Sequence, residues 1–416
     1  CIRDRYHATG KSYVQALNFY GKIWLLNQSK MKVLYDSQAF DMQTHGGVSR
    51  CFAELYSHLP QDIEASLSVM ESANVYLKTL GIKPDGELYH NFLWKKDSAI
   101  KKMLYKFYYN AKFGEYSRLD RTPRINRYKS VCDIKSKDFD LFHPTFFDPY
   151  FLKYIGSKPY VVTVHDMIPE QYNQYYDHND YQILQKHLVI PKANHIIAVS
   201  QQTKRDLCRI MNIKEEQVSV VYHGADETPY TPNENNRHPF EYILFVGERH
   251  FYKNFDFFAK QCVPILKRHK ELKVVCTGKP FNETEKSMFK SWEMEDRFIH
   301  EFIKTDQEML DLYHYALAFV YPSSYEGFGL PILEAYKAEC PVLLNHASCF
   351  PEIAEDAAVY FHMDEKRTDF EEQFETFYYL DGIEKKKLIE KQNERLKHFS
   401  WKKSALELAN IYKHIV

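Results

Sequence analysis

The strongest constraint on the fold of this chain is the stretch 316–344, which reads ALAFVYPSSYEGFGLPILEAYKAECPVLL. Two short apolar runs, Ala316–Tyr321 and Pro341–Leu344, flank a glycine-rich turn and one short helical segment. This order predicts a strand–helix–strand unit with parallel strands. Ligands of such sheets bind beyond the carboxyl ends of the strands, which is where the turn Pro322–Leu330 falls.

Two acids and two glycines in this turn point to a bound ligand. Glu326 lies in the turn, and Glu334 follows after seven intervening residues, in the predicted first turn of the helix. A carboxylate at a helix start is favoured by the helix dipole and can accept two hydrogen bonds from a diol such as a ribose. Gly327 and Gly329 let the backbone approach a ligand closely. Taken singly, each acid is more commonly a surface residue, because helix starts attract acids, and the glycines are more commonly part of a plain turn.

The string EGFGLPILEA, which begins at Glu326, resembles the E-x7-E signature of the family 4 retaining glycosyltransferases, which have the GT-B fold. The resemblance implies an α/β protein with two Rossmann-like, doubly wound domains facing a central cleft. It also implies a C-terminal helix that crosses back to the first domain. In this family the residue matching Glu326 approaches the transferred sugar, and the residue matching Glu334 binds the ribose. The backbone N–H groups of Phe328, Gly329 and Leu330 would bind the sugar and the phosphate.

Two motifs in the first half of the chain resemble the same family. Gly46 and Gly47 precede a predicted helix in the string GGVSR, and they resemble the glycine turn that faces the donor diphosphate. His165 follows the predicted strand 160–164 in the string VTVHDMIPE, which resembles the motif whose histidine contacts the donor sugar. Without the resemblance, a glycine pair is commonly a plain loop and a lone histidine is commonly structural.

Arg249 and Lys253 stand four residues apart after the predicted strand Tyr242–Val246. Two cations at a strand end can neutralise a diphosphate and stabilise it as it departs. A pair of basic surface residues is the ordinary alternative. The string GERHFYKN resembles the family's donor-phosphate motif, and its flanks resemble the branch that contains GDP-mannose-using mannosyltransferases.

The length of 416 residues is sufficient for two domains. We expect an acceptor-side domain at 31–232, joined by the crossing helix 399–416, and a donor-nucleotide-binding domain at 233–398. The segment 226–240 is rich in Pro, Asn and charged residues, as is typical of a linker. Residues 1–30 do not fit this fold, and we predict that they are an extension or a sequence artefact.

Composition limits the partners and cofactors. The eight cysteines are scattered without a C-x-x-C pair, which argues against a structural zinc site and favours a reducing cytoplasm. The net charge of -1 gives no overall field for nucleic acid. No apolar run reaches the roughly 18 residues of a membrane-spanning helix. The cysteine pattern therefore predicts a cytoplasmic protein. The resemblance to the family 4 glycosyltransferases implies a metal-independent enzyme without a cofactor, whose substrate is a GDP- or UDP-linked sugar.

Residues 95–137 form a basic segment, with thirteen Lys or Arg against four Asp or Glu and several interleaved aromatic residues. Such a segment suits peripheral contact with the inner face of a membrane that carries a lipid-linked acceptor. A solvated helix with buried aromatic residues explains the pattern equally well.

The predicted function is retaining transfer of a hexose, with mannose favoured, from a nucleotide sugar to a glycan or lipid-linked acceptor in polysaccharide biosynthesis. Two alternatives remain open: a GT-B hydrolase or epimerase that acts on the same donors, and a non-catalytic protein that binds nucleotide sugars. A dinucleotide oxidoreductase is disfavoured because no G-x-G-x-x-G follows a predicted strand.

Overall fold

The structure, a computed structural model, describes residues 30–79, 81, 121–176, 180–234, 238–249, 251–364 and 368–416. The predictions for residues 1–29 and for 95–120 lie outside these ranges. Within the described residues, two parallel β-sheets are each covered by helices on both faces.

The N-terminal sheet is built from the first six strands that the structure describes. These strands are β1 Met31–Tyr35, β2 Ile63–Leu67, β3 Leu141–His143, β4 Val161–Val164, β5 His195–Ala198 and β6 Val218–Val220. They form two groups, ordered β2-β1-β3 and β4-β5-β6, which the parallel bridge between Phe142 and Tyr160 joins into one sheet. The helices of this half are α1 Gln38–Met42, α2 Gly47–His58, α3 Val75–Thr79, α4 Arg121–Ser136, α5 Ile168–Gln171, α6 Tyr181–Val189 and α7 Gln201–Met211.

The C-terminal sheet has the order β12-β11-β10-β7-β8-β9, with every pairing parallel. Its strands are β7 Tyr242–Phe245, β8 Lys273–Cys276, β9 Phe298–His300, β10 Ala318–Tyr321, β11 Val342–Asn345 and β12 Val359–Phe361. The helices that follow in the chain are α8 Phe255–Arg268, α9 Glu283–Ser291, α10 Asp306–His314, α11 Leu330–Lys337, α12 Phe350–Ala354, α13 Phe370–Tyr378, α14 Gly382–Leu396 and α15 Trp401–Ile415.

The predicted strand–helix–strand unit is present as β10, α11 and β11. Phe319 of β10 pairs with Val342 of β11 in a parallel register. Every residue of these two strands is buried, because helices cover both faces of the sheet. Continuous apolar runs, rather than alternating ones, are the sequence pattern that this environment requires.

The C-terminal helix α15 packs on the N-terminal half of the chain, as predicted. Trp401, Leu408 and Tyr412 are buried in one apolar cluster with residues of β1 and α2. The Tyr412 hydroxyl lies 2.6 Å from the Tyr35 hydroxyl and 2.5 Å from His143 Nδ1. The helix is therefore part of the first domain's core.

The chain passes between the two halves at two adjacent points. Ala225 forms a parallel bridge with Ser400. A Cβ on Gly224 would lie 2.1 Å from the Trp401 backbone nitrogen, so this close crossing requires glycine. The crossing falls next to the predicted linker, and the exact domain limits stay a prediction.

Among the described residues, no helix combines the length and the apolar character that crossing a membrane requires.

Candidate donor-sugar site

The turn after β10 is fixed by side chains at the end of β11 and just after it. Asn345 Nδ2 donates to the Ser323 carbonyl oxygen at 3.2 Å. Ser348 Oγ accepts from the Glu326 backbone nitrogen at 3.1 Å and donates to the Glu326 carbonyl oxygen at 2.7 Å. The backbone of Glu326 is therefore held from both sides, and its carboxylate has a defined position.

The Glu326 carboxylate is paired with Lys253. Glu326 Oε1 accepts from Lys253 Nζ at 2.9 Å and from Ser323 Oγ at 2.9 Å. Both charged side chains are 13% exposed. Lys253 ends the short 3-10 turn Phe251–Lys253 that follows β7, so residues 73 positions apart meet because β7 and β10 are neighbours in the sheet. The predicted acid and the predicted cation thus lie together, although their roles stay a prediction.

Arg249 makes its contacts elsewhere in this structure, and the predicted pairing of Arg249 and Lys253 at the diphosphate stays a prediction. Its Nε donates to Glu285 Oε1 at 2.6 Å, and its other nitrogens donate to Glu285 and to the carbonyl oxygens of Thr277, Lys279 and Pro280. The Arg249 and Glu285 side chains are 6% and 7% exposed. The guanidinium charge is therefore balanced by the Glu285 carboxylate in this structure.

His165 lies at the carboxyl end of β4 and is covered by the turn that carries Glu326. A Cβ on Gly327 would lie 1.8 Å from the His165 carbonyl oxygen, so the two halves of the chain touch at this point. The His165 Nε2 atom is buried and has no hydrogen-bond partner. Burial lowers the pKa of His165 to about 4, so the ring is neutral at physiological pH. A neutral imidazole with an unpaired nitrogen can bind a sugar hydroxyl.

Glu334 is the fifth residue of α11, at the start of the second turn, whereas the prediction placed it in the first turn. The helix begins at Leu330 because Gly329, with φ of 96°, occupies the N-cap position in the left-handed region. Glu334 Oε1 accepts from Arg50 Nη1 at 3.2 Å, and Tyr313 donates to Oε2 at 3.4 Å. Burial raises the pKa of Glu334, and the Arg50 guanidinium opposes that rise.

The start of α2 faces the start of α11. Gly46 is the N-cap of α2, and a Cβ on Gly47 would lie 3.6 Å from Leu330 Cδ1. Both N-caps are glycines and offer no side chain to the first N–H groups, although in α2 the Ser49 backbone nitrogen donates to Gln43 Oε1 at 3.1 Å. Both helices therefore direct the positive ends of their dipoles toward one region, which suits an anion.

Phe328 is a packing residue within the same turn. Its side chain is 4% exposed, and its ring centroid lies 4.8 Å from that of His223. The Phe328 carbonyl oxygen accepts from Cys349 Sγ at 3.1 Å. Any contact of Phe328 with a ligand therefore has to come from its backbone N–H, as the resemblance implies.

Two adjoining cavities lie next to these residues and share Arg50 and Asp306 in their lining. The smaller, of about 50 Å³, also contacts Leu330 and Glu334. The larger has a volume of about 480 Å³, which lies within the usual range for ligand pockets. Space for a ligand thus exists beside Glu334, whereas the Glu326–Lys253 pair lies largely closed.

Two families of protein sequences match adjacent parts of the chain. Residues 87–228 match the family described as Glycosyltransferase Family 4, and residues 227–395 match the one described as Glycosyl transferases group 1. The chain belongs to the family 4 glycosyltransferases.

Relatives of this glycosyltransferase include enzymes of O-antigen assembly. The chain is 27% identical over 209 residues to the O-antigen chain mannosyltransferase RfbU of Salmonella typhimurium, covering 50% of this chain and 58% of that protein. It is also 27% identical over 247 residues to O-antigen chain mannosyltransferase B of Escherichia coli, covering 54% of this chain and 61% of the relative. The matches thus span under two thirds of both relatives.

Solved structures show the same fold as this glycosyltransferase. HepE of Anabaena, determined with UDP and glucose, has a TM-score of 0.65 at 14% identity, covering 92% of this chain and 99% of that one. A glycosyltransferase of Rickettsia africae has a TM-score of 0.64 at 15% identity, with coverages of 93% and 99%. The likeness confirms the predicted GT-B architecture.

One Asp-x-Asp triplet, a spacing associated with metal-dependent glycosyltransferases, was missed by the sequence reasoning. Asp138 lies 2.6 Å from Lys32 Nζ, and Asp140 Oδ2 accepts from the Lys32 backbone nitrogen at 2.8 Å. Both acids therefore tie the start of β1 to the segment before β3. This arrangement explains the triplet as a structural feature.

Elsewhere in the glycosyltransferase, one cysteine and two histidines form a cluster of possible metal ligands. One ligand atom each from Cys51, His165 and His223 lie within 4.8 Å of one another. The cluster includes the histidine assigned to the sugar. Metal independence stays a prediction, and this cluster is where an experiment should look for a metal.

Basic side chains of the segment 125–137 make contacts within the protein. Arg127 pairs with Asp148, and Lys129 Nζ lies 3.1 Å from Asp133 Oδ2. Lys137 Nζ donates to two carbonyl oxygens of residues 154 and 155. These contacts agree with the structural reading of this part of the segment.

Proposed function

We propose that this chain transfers a hexose, with mannose favoured, from a nucleoside diphosphate sugar to a glycan or lipid-linked acceptor, with retention of the anomeric configuration. The O-antigen relatives are named as mannosyltransferases, which supports the choice of mannose. The proposal extends to a role in polysaccharide biosynthesis.

One observation carries the proposal. Glu326 pairs with Lys253 at 2.9 Å within a turn that packs against the His165 backbone, so an acid and a cation of the second domain meet the segment of the first domain that carries a neutral imidazole. Charge develops on the departing diphosphate and on the anomeric carbon during transfer. A cation next to an acid can stabilise both charges, while the imidazole positions the sugar.

Each remaining residue has a place in this scheme. Glu334 binds the ribose diol, and the N-termini of α2 and α11, with Gly47 and Leu330, face the diphosphate. The backbone N–H groups at Phe328 and Gly329 bind the sugar and the phosphate. No step in this scheme depends on a cofactor.

Fewer observations support the identity of the acceptor. The relatives named above act in O-antigen chains, which supports a glycan acceptor. Peripheral contact between the basic segment 95–137 and the inner face of a membrane would bring a lipid-linked acceptor to the site. This contact and the cytoplasmic location are part of the proposal.

The test measures transfer from a panel of GDP- and UDP-linked hexoses to an acceptor library extracted from lipid-linked oligosaccharides. We expect GDP-mannose to be used in preference to the UDP-sugars and the product to retain the α configuration in the NMR spectrum. Glu326→Gln keeps the size and hydrogen-bonding capacity of the side chain, and it should lower kcat by about a hundredfold or more. A wild-type kcat in Glu326→Gln would show that Glu326 is not a catalytic residue.

The alternatives give different results in the same assay. A hydrolase or epimerase consumes the donor at the same rate with and without acceptor. A non-catalytic binding protein binds the donor and consumes none of it. Acceptor-dependent consumption separates the proposed transferase from both.

A further inference from the structure

The helices α2 and α11 meet at their N-termini, and each carries a charged side chain one turn further on. Gly47 lies against Leu330, and Arg50 and Glu334 follow in the next turns. Side chains on a helix lean toward its N-terminus. Arg50 and Glu334 therefore both lean back toward the junction where the diphosphate is proposed to bind.

The contact between Arg50 and Glu334 is a loose one. The structure gives a single hydrogen bond, from Arg50 Nη1 to Glu334 Oε1 at 3.2 Å, although a guanidinium can offer a carboxylate two parallel donors. The two side chains are 18% and 31% exposed. A partly buried bridge with a single donor leaves the other guanidinium N–H groups available to a further partner.

The donor site is short of free positive charge. A diphosphate diester carries two negative charges and gains another as it departs. Arg249 is enclosed with Glu285, and Lys253 is shared with Glu326. The two helix N-termini supply partial charges only.

Arg50 is the cation best placed to supply the rest. The small cavity beside Glu334 is lined by two described cations, Arg50 and Lys337. Lys337 Nζ lies 2.7 Å from Asp226 Oδ2 and is 11% exposed, so that charge is balanced. The partner of Arg50 is the carboxylate that the ribose is proposed to occupy, and ribose binding therefore frees Arg50.

We propose that Arg50 exchanges partners when the donor binds. In the empty site it neutralises Glu334 across the cleft between the domains, and in the loaded site it donates to the diphosphate while Glu334 accepts from the ribose hydroxyls. Arg50 is thus a donor-binding residue contributed by the first domain. This inference rests on the proposed function, because it requires a nucleoside diphosphate donor.

The test compares the affinities of the full chain for a nucleoside diphosphate and for the matching nucleoside, by titration calorimetry. Arg50→Gln should weaken GDP or UDP about tenfold or more, because a charge-assisted hydrogen bond is lost. It should leave guanosine or uridine binding unchanged or tighter, since Glu334 no longer has a competing partner. Arg205→Gln, an exposed helical arginine of the same domain that bonds Gln202, is the matched control and should change neither affinity.

A double-variant cycle separates direct contact from an effect through Glu334. In the Glu334→Gln background, Arg50→Gln should still weaken the diphosphate about tenfold. Loss of that effect would show that Arg50 acts only by holding Glu334, and would overturn the inference. An equal loss for nucleoside and diphosphate would overturn it as well, because it would indicate a collapsed site.

Failure of the inference and failure of the proposed function give different results. If the wild-type protein and Arg50→Gln bind GDP or UDP equally well, Arg50 does not exchange partners. The proposal of a nucleoside diphosphate donor is then unaffected. If the wild-type protein binds neither nucleotide, the proposed donor class is wrong. The partner exchange of Arg50 is then wrong as well, because it requires that donor.

Discussion

Gly327 lies so close to His165 that a Cβ on the glycine would come within 1.8 Å of the histidine carbonyl oxygen. The obstacle is backbone, which cannot turn aside as a flexible side chain would. Gly327→Ala must therefore push the turn that carries Glu326 away from the first domain. We expect transfer to fall at least a hundredfold, since a shift of about 1 Å in a reacting group can have this effect, and stability to fall by about 1–3 kcal/mol.

Steady-state kinetics and urea unfolding of Gly327→Ala check this prediction. Gly382→Ala is the matched control, because a Cβ at Gly382 meets no atom within 4 Å. The control should retain activity and stability. Wild-type activity in Gly327→Ala would show that the contact between the turn and His165 is not needed for transfer.

The two cations of the GERHFYKN string should behave differently when they are removed. Lys253→Ala deletes the cation that pairs with Glu326 and is proposed to hold the diphosphate, and we expect GDP or UDP affinity to fall about ten- to a hundredfold. Calorimetric titration measures this change. Lys279→Ala, whose side chain is 75% exposed, is the control and should bind normally. Equal affinity of Lys253→Ala and wild type would mean that Lys253 does not contact the diphosphate.

Arg249→Ala, in contrast, should act on the fold. It leaves Glu285 buried without its partner, and breaking such a pair costs about 3–5 kcal/mol. We expect the free energy of unfolding to fall by about this amount, while the folded fraction binds GDP or UDP within about twofold of wild type. Denaturant unfolding and calorimetry on the same preparation measure the two effects. A selective loss of nucleotide affinity at normal stability would restore Arg249 to the donor site.

These two residues show what the sequence could and could not predict. The unit β10–α11–β11 follows from its apolar runs, because strands buried on both faces leave a continuous hydrophobic pattern. The closeness of Lys253 and Glu326 follows from the family motifs they belong to. The partner of Arg249 could not be predicted, because Glu285 is 36 positions away and a spacing of four residues says nothing about side-chain direction.

The position of Glu334 in its helix and the contact made by Arg50 could not be predicted from the sequence either. The helix was expected to begin after the turn Pro322–Leu330, but the left-handed Gly329 starts it at Leu330, so Glu334 is its fifth residue and lies in the second turn. Arg50 stands in the string GGVSR that was singled out for its glycines. Its contact with Glu334 spans 284 positions and two domains, so only the folded arrangement reveals it.

His143 makes stability depend on pH. It is fully buried, with its nitrogens 2.5 Å from the Tyr412 hydroxyl and 2.9 Å from Thr163 Oγ1, and burial lowers its pKa to about 3. Its pKa in the unfolded chain is about 6.5. Because the folded pKa is the lower one, the stabilisation is fully present above pH 6.5 and is lost as the pH falls from 6.5 toward 3.

Urea unfolding between pH 7 and pH 5 checks this dependence. The His143 contribution to the free energy of unfolding should fall by up to about 1.4 kcal/mol for each pH unit below 6.5. His143→Gln should be less stable at pH 7 and should show a shallower decline with falling pH. His187→Gln, at an exposed position, should keep the wild-type slope. An unchanged slope in His143→Gln would show that other groups govern acid unfolding.

Transfer should not require a metal ion, because Lys253, Arg50 and two helix N-termini are proposed to manage the charge of the diphosphate. We expect activity in 5 mM EDTA, about the concentration used to strip such sites, to stay within twofold of the untreated enzyme, and added Mg²⁺ to have no effect. The cluster of Cys51, His165 and His223 provides the strongest challenge, since thiolate and imidazole are good zinc ligands. Elemental analysis of the purified protein and the activity of Cys51→Ser therefore accompany the assay. Inactivation by EDTA that zinc reverses in wild type, but not in Cys51→Ser, would replace the protein-cation scheme with a metal-dependent one.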